Sequence, residues 1–403
     1  MFSDDDAWQV LPLADVLTFR EGPGILARDF RSEGVPLLRL AGLKRGASLL
    51  DGCNYLDPEM VERRWSHFRL SAGDVLLSTS ASLGEVAVVD ETAQGAVPYT
   101  GIVAFRPRSS RIHLRFVQLA LTAPSFKRQI EAMGVGSVMR HFGPSHLRQM
   151  KIALPPLERQ LAIADVIEAL DDKIAVNERI SRTSLELSDA FFEAVVAGTP
   201  LSAATFGEVG QVFGGGTPRT SEPLYWNGGI CWATPSDVTA LNAPYLFATA
   251  RRITDAGLAN CASQLYPAGS ILMTSRATIG AFAISQVPIA VNQGFIVVVP
   301  PSEEMRWWLF HEMRSRVDEM IGLANGSTFL ELSRKNFKGM QVRVPDSELL
   351  ARFASTVSPL HLRAANSQME NATLAALRDT LLPGLMSGEI QVRDAEKAVE
   401  DAI

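Results

Sequence analysis

Residues 71–78 are SAGDVLLS, and residues 267–274 are PAGSILMT. Each stretch joins an Ala-Gly turn to a short run of apolar residues, which is typical of a buried β-strand that follows a turn. The glycines of the two turns are 196 positions apart, and Gly84 and Gly280 have the same separation. The chain therefore contains two copies of one strand-forming unit.

The similarity between the copies continues along the chain. Residues 101–107 match residues 294–300 at a separation of 193, and residues 150–155 match residues 340–345 at a separation of 190. Small insertions and deletions in loops produce this kind of drift. We infer that two copies of one architecture, each of about 195 residues, make up the chain of 403 residues.

Each copy begins with a globular part, at residues 1–153 and 201–343. Gly and Pro bound short β-branched runs in both parts, and helical stretches follow at residues 114–133 and 303–323. This alternation predicts mixed α/β (α+β) domains with a partly open sheet. The predicted strands are Val75–Ser78, Glu85–Val89, Ile102–Phe105, Ile271–Thr274 and Phe295–Val299.

A helical part completes each copy. Residues 157–197 contain neither proline nor glycine, and their apolar positions from Ile163 to Ile174 step by four, three and four. Residues 350–364 have the same heptad steps, with Pro359 inside the pattern, where we expect a bend. We therefore predict one long helix in each copy.

The helical parts are assigned to residues 154–200 and to residues 344–403, the second with a tail. Asn177, and either Asn366 or Asn371, are expected on the apolar seam, where polar residues fix the register of paired helices. Two ordinary amphipathic helices, each packed on its own domain, are the alternative. A length of about 40 residues favours pairing because an ordinary helix has about 11–12.

Charge is segregated along the chain, whose net charge is −6. Residues 101–151 carry nine Lys or Arg against one Glu, whereas residues 152–200 and 346–403 have net charges of −5 and −4. The basic segment is suited to a phosphate backbone, although a solvated basic surface has the same composition. DNA would repel the acidic helices, whose exposed faces are better suited to a protein partner.

Motifs for catalysis, metal binding and secretion are missing. The Gly214–Pro218 segment has no G-K-[ST] after its glycines, which favours a tight loop over a phosphate loop. No H-E-x-x-H, G-x-S-x-G or C-x-x-C motif occurs, and the three cysteines are widely spaced. The chain starts with an acidic segment and has only strand-sized apolar runs. We expect a cytoplasmic protein with no catalytic residue, no metal and no cofactor.

Two α/β domains that alternate with two long helices resemble HsdS, the specificity subunit of Type I restriction–modification systems. The matching residues are Gly73–Leu76, Gly84, Gly136-Ser137 and Leu154–Gln160 in the first copy, and Gly269–Leu272, Gly280, Gly326-Ser327 and Leu381–Gly388 in the second. Two departures weaken the motif without changing the architecture. Arg159 replaces an acidic residue that is common in the family, and Pro345-Asp346-Ser347 replaces Pro-Pro-Leu.

The resemblance implies a function for each part. The globular parts would be two pseudo-repeated target-recognition domains, each recognising one half of a split double-stranded DNA sequence. The helices would form an antiparallel coiled coil that separates the domains and binds methyltransferase subunits, two in number, with restriction/translocase subunits joining through these. The alternatives are a specificity subunit of another methylation or phage-defence complex, a stand-alone DNA enzyme, and a protein-binding coiled-coil scaffold.

Candidate DNA contacts follow from the turns and from the arginines. The residues after the two Gly-Ser turns are candidates for phosphate contacts, and exposed arginines are candidates for base contacts because Arg is the commonest side chain that recognises guanine. A purely solvated role stays open for each of them. The candidates are Arg63, Arg64, Ser137, Arg140 and His141 in the first domain, and Arg219, Arg251, Arg252, Arg276, Ser327, Arg334 and Lys335 in the second.

Overall fold

The computed structural model describes residues 8–44, 48–133, 141–326 and 330–403. The chain forms two compact units. The first unit comprises residues 1–172 and 375–403, and the second comprises residues 173–374. Each unit combines one globular part with a section of both long helices.

The first unit is built around short strands. They are β1 (Gln9–Pro12), β2 (Leu17–Glu21), β3 (Phe30–Arg31), β4 (Val35–Leu38), β5 (Asn54–Leu56), β6 (Val75–Ser78), β7 (Val86–Val88), β8 (Val97–Pro98), β9 (Ile102–Pro107) and β10 (Lys151–Leu154). One antiparallel sheet has the order β2-β9-β6-β7, a second has the order β3-β5-β4-β8, and β1 pairs with β10. Val75, Leu76 and Leu77 of β6 are at most 1% exposed, which explains the continuous apolar run in the sequence.

Short helices surround these sheets. They are α1 (Leu13–Val16), α2 (Pro58–Met60), α3 (Leu114–Thr122), α4 (Pro124–Met133) and α5 (Pro144–Leu147), and the first long helix, α6 (Leu157–Val196), follows β10. A π-helical turn lies at Val61–Trp65. Turns of 3₁₀ helix lie at Ala27–Asp29, Leu40–Leu43, Ser66–Phe68 and Glu91–Ala93.

The second unit contains the remaining strands and a further set of helices. The strands are β11 (Gln211–Phe213), β12 (Trp226–Ala233), β13 (Tyr245–Leu246), β14 (Arg251–Ile253), β15 (Ile271–Arg276), β16 (Thr278–Ser285), β17 (Ile289–Val291) and β18 (Phe295–Val299). The helices are α7 (Phe206–Val209), α8 (Pro235–Thr239), α9 (Asp255–Ala259), α10 (Glu303–Arg314), α11 (Val317–Gly322) and α12 (Arg334–Gly339), with a 3₁₀ turn at Pro223–Tyr225.

The globular parts of the two units repeat one topology. The sheet order β11-β18-β15-β16 of the second unit corresponds to β2-β9-β6-β7 of the first, and β13 is added at its edge. Each smaller sheet contains one parallel pair, β4 with β8 and β12 with β17. The predicted duplication and the mixed α/β class are confirmed.

Two long helices connect these parts, α6 and the 41-residue α13 (Ser347–Ser387), and α14 (Val392–Glu400) follows. In the second unit the side-chain amide of Asn371 donates to the carbonyl of Ile174 (3.2 Å), and the hydroxyl of Ser181 donates to that of Ala364 (2.8 Å). As the residue number rises along α6, the number of the facing residue on α13 falls, so the two helices are antiparallel. In the first unit, Arg378 of α13 donates to a carboxylate of α6.

The predicted seam is confirmed. Ile163, Ile167 and Leu170 are at most 2% exposed, and Asn177 is fully buried with its amide 2.9 Å from a carboxylate oxygen of Glu370. Of the two alternatives in α13, Asn371 is on the seam, whereas Asn366 is exposed. Helix α13 continues through Pro359.

Two helical stretches are interrupted where the sequence predicted continuity. Residues 114–133 form α3 and α4, which are separated at Ala123, whose ψ of 143° is in the region that a following proline favours. Residues 303–323 form α10 and α11, separated at Ser315-Arg316. Helix α10 contributes Trp308 and Phe310 to the core of the second unit. Within the described part of the chain, no helix combines the length and the apolar character needed to cross a membrane.

Candidate nucleic-acid interface

Equivalent hairpins lie at one end of the larger sheet in both domains. They join β6 to β7 in the first domain and β15 to β16 in the second, and Ala81 and Ala277 at the hairpin tips have φ values of 58° and 60°. Just before the tip, an amide donates to the following turn: Thr79 to Gly101 and Ser275 to Gly294, both at 2.8 Å. Each domain therefore holds two turns side by side on the same backbone scaffold.

In the second domain, polar side chains gather at this scaffold. Arg276 forms an ion pair with Glu331 (2.8 Å), and the amide of Leu332 donates to the carbonyl of Ser275 (3.0 Å). The contact brings Arg334, the first residue of α12, to the end of the sheet. Two of the predicted arginines, Arg276 and Arg334, thus lie at one site.

A glycine loop forms the opposite wall of this site. A Cβ on Gly214 would lie 3.0 Å from Cδ of Arg334, and one on Gly215 would lie 2.1 Å from the carbonyl oxygen of Val291. Only glycine permits so close an approach. The loop has no regular secondary structure and leads to a 3₁₀ turn, so the helix that would follow the glycines of a phosphate loop is absent from this described segment.

The loop carries a polar pair that faces solvent. The hydroxyl of Thr217 donates to Oε1 of Gln293 at 2.6 Å, and both residues are exposed. This contact occupies one lone pair of the amide oxygen and leaves the amide N–H groups of Gln293 available to a ligand. We call Thr217, Arg276, Gln293, Glu331 and Arg334 the turn cluster.

A second group of predicted arginines surrounds Trp226. The guanidinium carbon of Arg251 lies 3.6 Å from the centroid of the Trp226 ring, a close cation–π contact. The indole N–H of Trp226 donates to the carbonyl of Arg219 at 3.1 Å. Arg219, Arg251 and Arg252 are all exposed, and of these three it is Arg219 and Arg251 that contact Trp226. The structure thus brings Arg219 and Arg251 together at one aromatic residue.

In the first domain the same scaffold carries an acidic residue. Oε1 of Glu21 accepts from the amide of Gly101 (3.0 Å) and from the hydroxyl of Thr100 (3.3 Å). His141 pairs with Ser80 at the hairpin tip, and its Nε2 lies 4.0 Å from Glu21. The chemistry at this position therefore differs between the two domains.

Several other arginines of the first domain are exposed or line a pocket. Arg63 and Arg64 are exposed on the helical turn at Val61–Trp65. Arg20, Arg69 and Arg106 line a pocket of about 160 Å³ together with His67 and Phe68. The hydrogen bonds that Arg106 donates to Asp74 raise the pKa of Arg106, while burial opposes this effect and the charge of Asp74 adds to it. The pocket is thus a permanently cationic surface.

Four further candidates are Ser137, Arg140, Ser327 and Lys335. Ser137, Arg140 and Ser327 lie outside the described residues. Lys335 is exposed beside Arg334 on α12. In the described parts of the chain, His, Cys, Asp and Glu side chains form no group of three or more that could hold a metal ion.

Sequence reasoning missed several polar residues of these surfaces. Gln293 and its counterpart Thr100 precede the matched glycines Gly294 and Gly101, so the repeat itself could have identified them. Arg20 gave no signal because its neighbours in the pocket, residues 67–69 and 106, are distant in sequence.

The chain is similar to proteins of one family. The family model for the Type I restriction modification DNA specificity domain matches residues 5–183 and again residues 203–366. The MjaIX specificity subunit of a Type I restriction enzyme from Methanocaldococcus jannaschii is 31% identical over 169 residues, which are 41% of this chain and 39% of that protein. The HindI specificity subunit from Haemophilus influenzae is 24% identical over 404 aligned positions, covering 80% of this chain and 87% of that protein.

A solved structure shares the fold over almost the whole chain. It is the S subunit of a Type I restriction–modification system from M. genitalium, with 16% sequence identity and a TM-score of 0.59, covering 96% of this chain and 97% of that one. The duplicated domains, the paired helices and the two matches to one family model agree. The chain belongs to the Type I restriction–modification DNA specificity family.

Proposed function

We propose that the chain is the DNA sequence-recognition subunit of a Type I restriction–modification complex. Residues 1–153 and 201–343 would be two target-recognition domains, with residues 154–200 and 344–403 as the helical spacers. Each domain would bind one half of a bipartite target in double-stranded DNA. The subunit would act in the cytoplasm without chemistry of its own and direct a methyltransferase and a nuclease to that sequence.

One observation carries this proposal: the two domains hold different side chains on one backbone scaffold. Beside the paired turns at the end of the sheet, the first domain has Glu21 and Thr100. The second domain has Gln293, Thr217 and Arg334 beside the equivalent turns. A shared scaffold with different polar groups is what two unlike half-sites require, because base edges are distinguished by their patterns of donors and acceptors.

The chemistry of the second domain suits this task. An amide side chain such as Gln293 can bond the edge of adenine, and Arg can bond guanine or a phosphate. The turn cluster contains one carboxylate, Glu331, which forms an ion pair with Arg276. Arg334 is the second cation of the cluster and adds a positive charge to this neutral pair. The cluster therefore has a net positive charge, which favours DNA.

The helices offer a surface for a protein partner. In the second unit, Val176 and Met369 are 53% and 52% exposed, and Leu187 and Leu362 are 54% and 62% exposed. Apolar side chains exposed on a paired, acidic helix are suited to contact with another protein. We assign this face to methyltransferase subunits, two per chain, with the restriction/translocase subunits joining through them.

The test uses the complex formed with the methyltransferase encoded beside this chain. Methyl transfer to DNA is measured for the methyltransferase alone, for this chain alone and for both together. We expect transfer at a defined sequence only from the mixture. Transfer by this chain alone would overturn the non-catalytic assignment, and equal transfer with and without the chain would overturn the recognition role.

Two controls separate the alternatives. DNA affinity that falls steeply with salt excludes a scaffold that binds only proteins, because counterion release requires contact with phosphates. Replacing Met369 and Leu362 with Glu should abolish binding of the methyltransferase while DNA affinity is retained. Methyltransferase binding that survives these changes would remove the exposed apolar face from the interface.

A further inference from the structure

Four polar side chains form a hydrogen-bonded relay in the second unit. Asp189 Oδ1 lies 2.7 Å from His311 Nδ1, His311 Nε2 lies 2.9 Å from His361 Nε2, and His361 Nδ1 lies 2.8 Å from the hydroxyl of Tyr245. His311, His361 and Tyr245 are each 1% exposed. Arg314 anchors the outer end through a 2.8 Å ion pair with Asp189. DNA recognition, as described above, uses none of these residues.

The relay joins the target-recognition domain to both long helices. Tyr245 belongs to β13 and His311 to α10, whereas Asp189 belongs to α6 and His361 to α13. The ring of His361 also stacks on Trp307 at 4.1 Å. Since a buried polar group without a partner is costly, the relay favours one position of the domain on the helices.

The relay is complete when both imidazoles are neutral. His311 then donates from Nδ1 to the carboxylate and accepts at Nε2, His361 donates from Nε2 and accepts at Nδ1, and Tyr245 donates its hydroxyl proton. If both rings are protonated, both facing Nε2 atoms carry a hydrogen, and the bond between the histidines is lost. Protonation of both rings therefore opposes the attachment of the domain.

Burial lowers the pKa of both histidines, whereas the charges around the relay act in both directions. Burial lowers the pKa of His311, and it lowers the pKa of His361 well below the usual 6.5. The cations Arg314 and Arg306 oppose protonation of His361, whereas Asp189 favours it. Although burial acts against it, hydrogen bonds from His311 and Arg314 lower the pKa of Asp189 to about 2. Asp189 thus stays ionised throughout the range in which histidines titrate.

Protons can reach the relay from solvent at its outer end. Asp189, Glu193, His311 and Arg314 line an open pocket of about 270 Å³. An open pocket next to His311 provides a path for a proton from solvent, and the acidic side chain of Glu193 adds to the attraction of cations there. Opening of the relay would expose His361 to the same solvent.

The first unit attaches its domain to α6 with different chemistry. Arg115 of α3 donates to the carboxylates of Glu168 (2.8 and 2.9 Å from Nε) and Asp165 (2.7 Å from Nη2). The side chains of Arg115, Glu168 and Asp165 are 38%, 43% and 64% exposed. Salt screens exposed ion pairs of this kind, and this contact contains no histidine.

We propose that Asp189, His311, His361 and Tyr245 are positioning residues that hold the second target-recognition domain on the helix pair and release it when both histidines are protonated. The attachment of the second domain then depends on pH, whereas the attachment of the first domain through Arg115 involves no histidine. The inference rests on the proposed function. The attachment of the second domain would weaken as the pH falls, and the attachment of the first domain would weaken as the salt concentration rises.

The expected size follows from the number of protons. Two histidines that are neutral in the relay and have ordinary pKa values when it opens take up two protons on opening. Opening is therefore about a hundredfold more favourable at pH 5.5 than at pH 7.5. The stabilisation is fully present above the ordinary histidine pKa and is lost as the pH falls below it.

Hydrogen exchange of the full chain in complex with its methyltransferase measures this opening directly. After correction for the intrinsic pH dependence of exchange, we expect the opening equilibrium of the amides around Tyr245 and His361 to rise about a hundredfold between pH 7.5 and pH 5.5. Amides around Arg115 should show no such change. Equal behaviour of the two regions would overturn the proposal, and this readout does not require that the chain recognises DNA.

A double variant, His361→Leu with Tyr245→Phe, removes the inner half of the relay and keeps apolar volume. Only His311 is left to titrate, so the pH effect on opening should fall from about a hundredfold to about tenfold. His67→Gln, at an exposed histidine of the first domain, is the matched control and should keep the full effect. A double variant with the wild-type pH effect would contradict the relay.

A second experiment measures DNA recognition. The affinity for the intact target is compared with the affinity for DNA probes that carry a substitution in either half-site. At pH 5.5 we expect loss of discrimination at the second half-site with the first retained, and Arg115→Gln should instead weaken the first half-site alone. Loss at both half-sites together, or at neither, would overturn the positioning role. If there is no discrimination at pH 7.5 either, the proposed function fails, and the hydrogen-exchange result still decides the fate of the relay.

Discussion

Ala81 and Ala277, 196 residues apart in sequence, adopt the same left-handed backbone conformation at the tips of equivalent hairpins, with φ values of 58° and 60°. Alanine is unfavourable there because its Cβ approaches the following carbonyl oxygen. Both tips are exposed and lie at the end of the sheet where the candidate DNA contacts gather. The duplication therefore extends to an uncommon backbone conformation.

Replacing either alanine with glycine should stabilise the protein. Glycine adopts a positive φ without strain, and the gain exceeds its entropic cost, so we expect each change to raise the free energy of unfolding by about 0.5–1 kcal/mol. Ala87→Gly, on strand β7, is the control and should lower it by about 0.5–1 kcal/mol. Denaturant unfolding measures both, and destabilisation by Ala81→Gly and Ala277→Gly would contradict the assigned turn.

A buried carboxylate supports the core of the second domain. Glu312 has no exposed side-chain surface and binds Arg316 (3.1 Å) and Arg343 (3.0 Å). Glu312→Gln leaves two largely buried guanidinium groups without this charge, and we expect the free energy of unfolding to fall by about 3–5 kcal/mol. Glu319→Gln removes the exposed partner of the same Arg316 and should cost under about 1 kcal/mol. Similar losses in thermal unfolding for the two variants would refute the buried network.

Arg334 is expected to contact a phosphate. Arg334→Ala should weaken binding to all DNA sequences alike and reduce the slope of log affinity against log salt by about one. Arg393→Ala, in the C-terminal helix α14, removes one equally charged residue outside the domains and should leave the slope unchanged. A titration in which both variants keep the wild-type slope would exclude Arg334 from the DNA contact.

The paired helices should set the length of the unrecognised spacer in the DNA. Since Ile174 faces Asn371, insertion of seven residues after each keeps the seam in register and lengthens the pair by about 10 Å, or about 3 base pairs. The half-sites should be unchanged and the preferred spacer longer by at most that amount. Insertion of three residues at each place breaks the heptad register and should impair folding or binding instead. A seven-residue variant that binds its partners but keeps the original spacer would show that the helices do not set this distance.

Local patterns were sufficient to predict much of the fold. The strands Val75–Ser78 and Phe295–Val299 have the predicted bounds because turn residues flank a run that is buried on both faces. The heptad spacing located the seam to the residue at Ile163 and Ile167. The interruption at Ala123 was also readable, since the next residue is a proline, yet the apolar pattern across it suggested one helix.

The relay and the polar clusters could not be predicted in the same way. His311, His361 and Tyr245 come from three distant segments, and their meeting depends on how the domain packs against the helices. Arg251 stacks on Trp226 because two antiparallel strands place them together, and exposed arginines with and without such a partner look alike in sequence. These sites depend on contacts between residues that are distant in sequence, and such contacts cannot be predicted from the spacing of residues along the chain.

An exchange of one domain tests the central claim most directly. Residues 201–340 are replaced by the corresponding segment of another member of the family, and the sequences bound by the intact complex are selected from a random DNA library before and after the exchange. The account predicts two half-sites separated by a fixed spacer, with only one half-site altered by the exchange. A single continuous recognition sequence, or a change in both half-sites, would contradict two independent target-recognition domains.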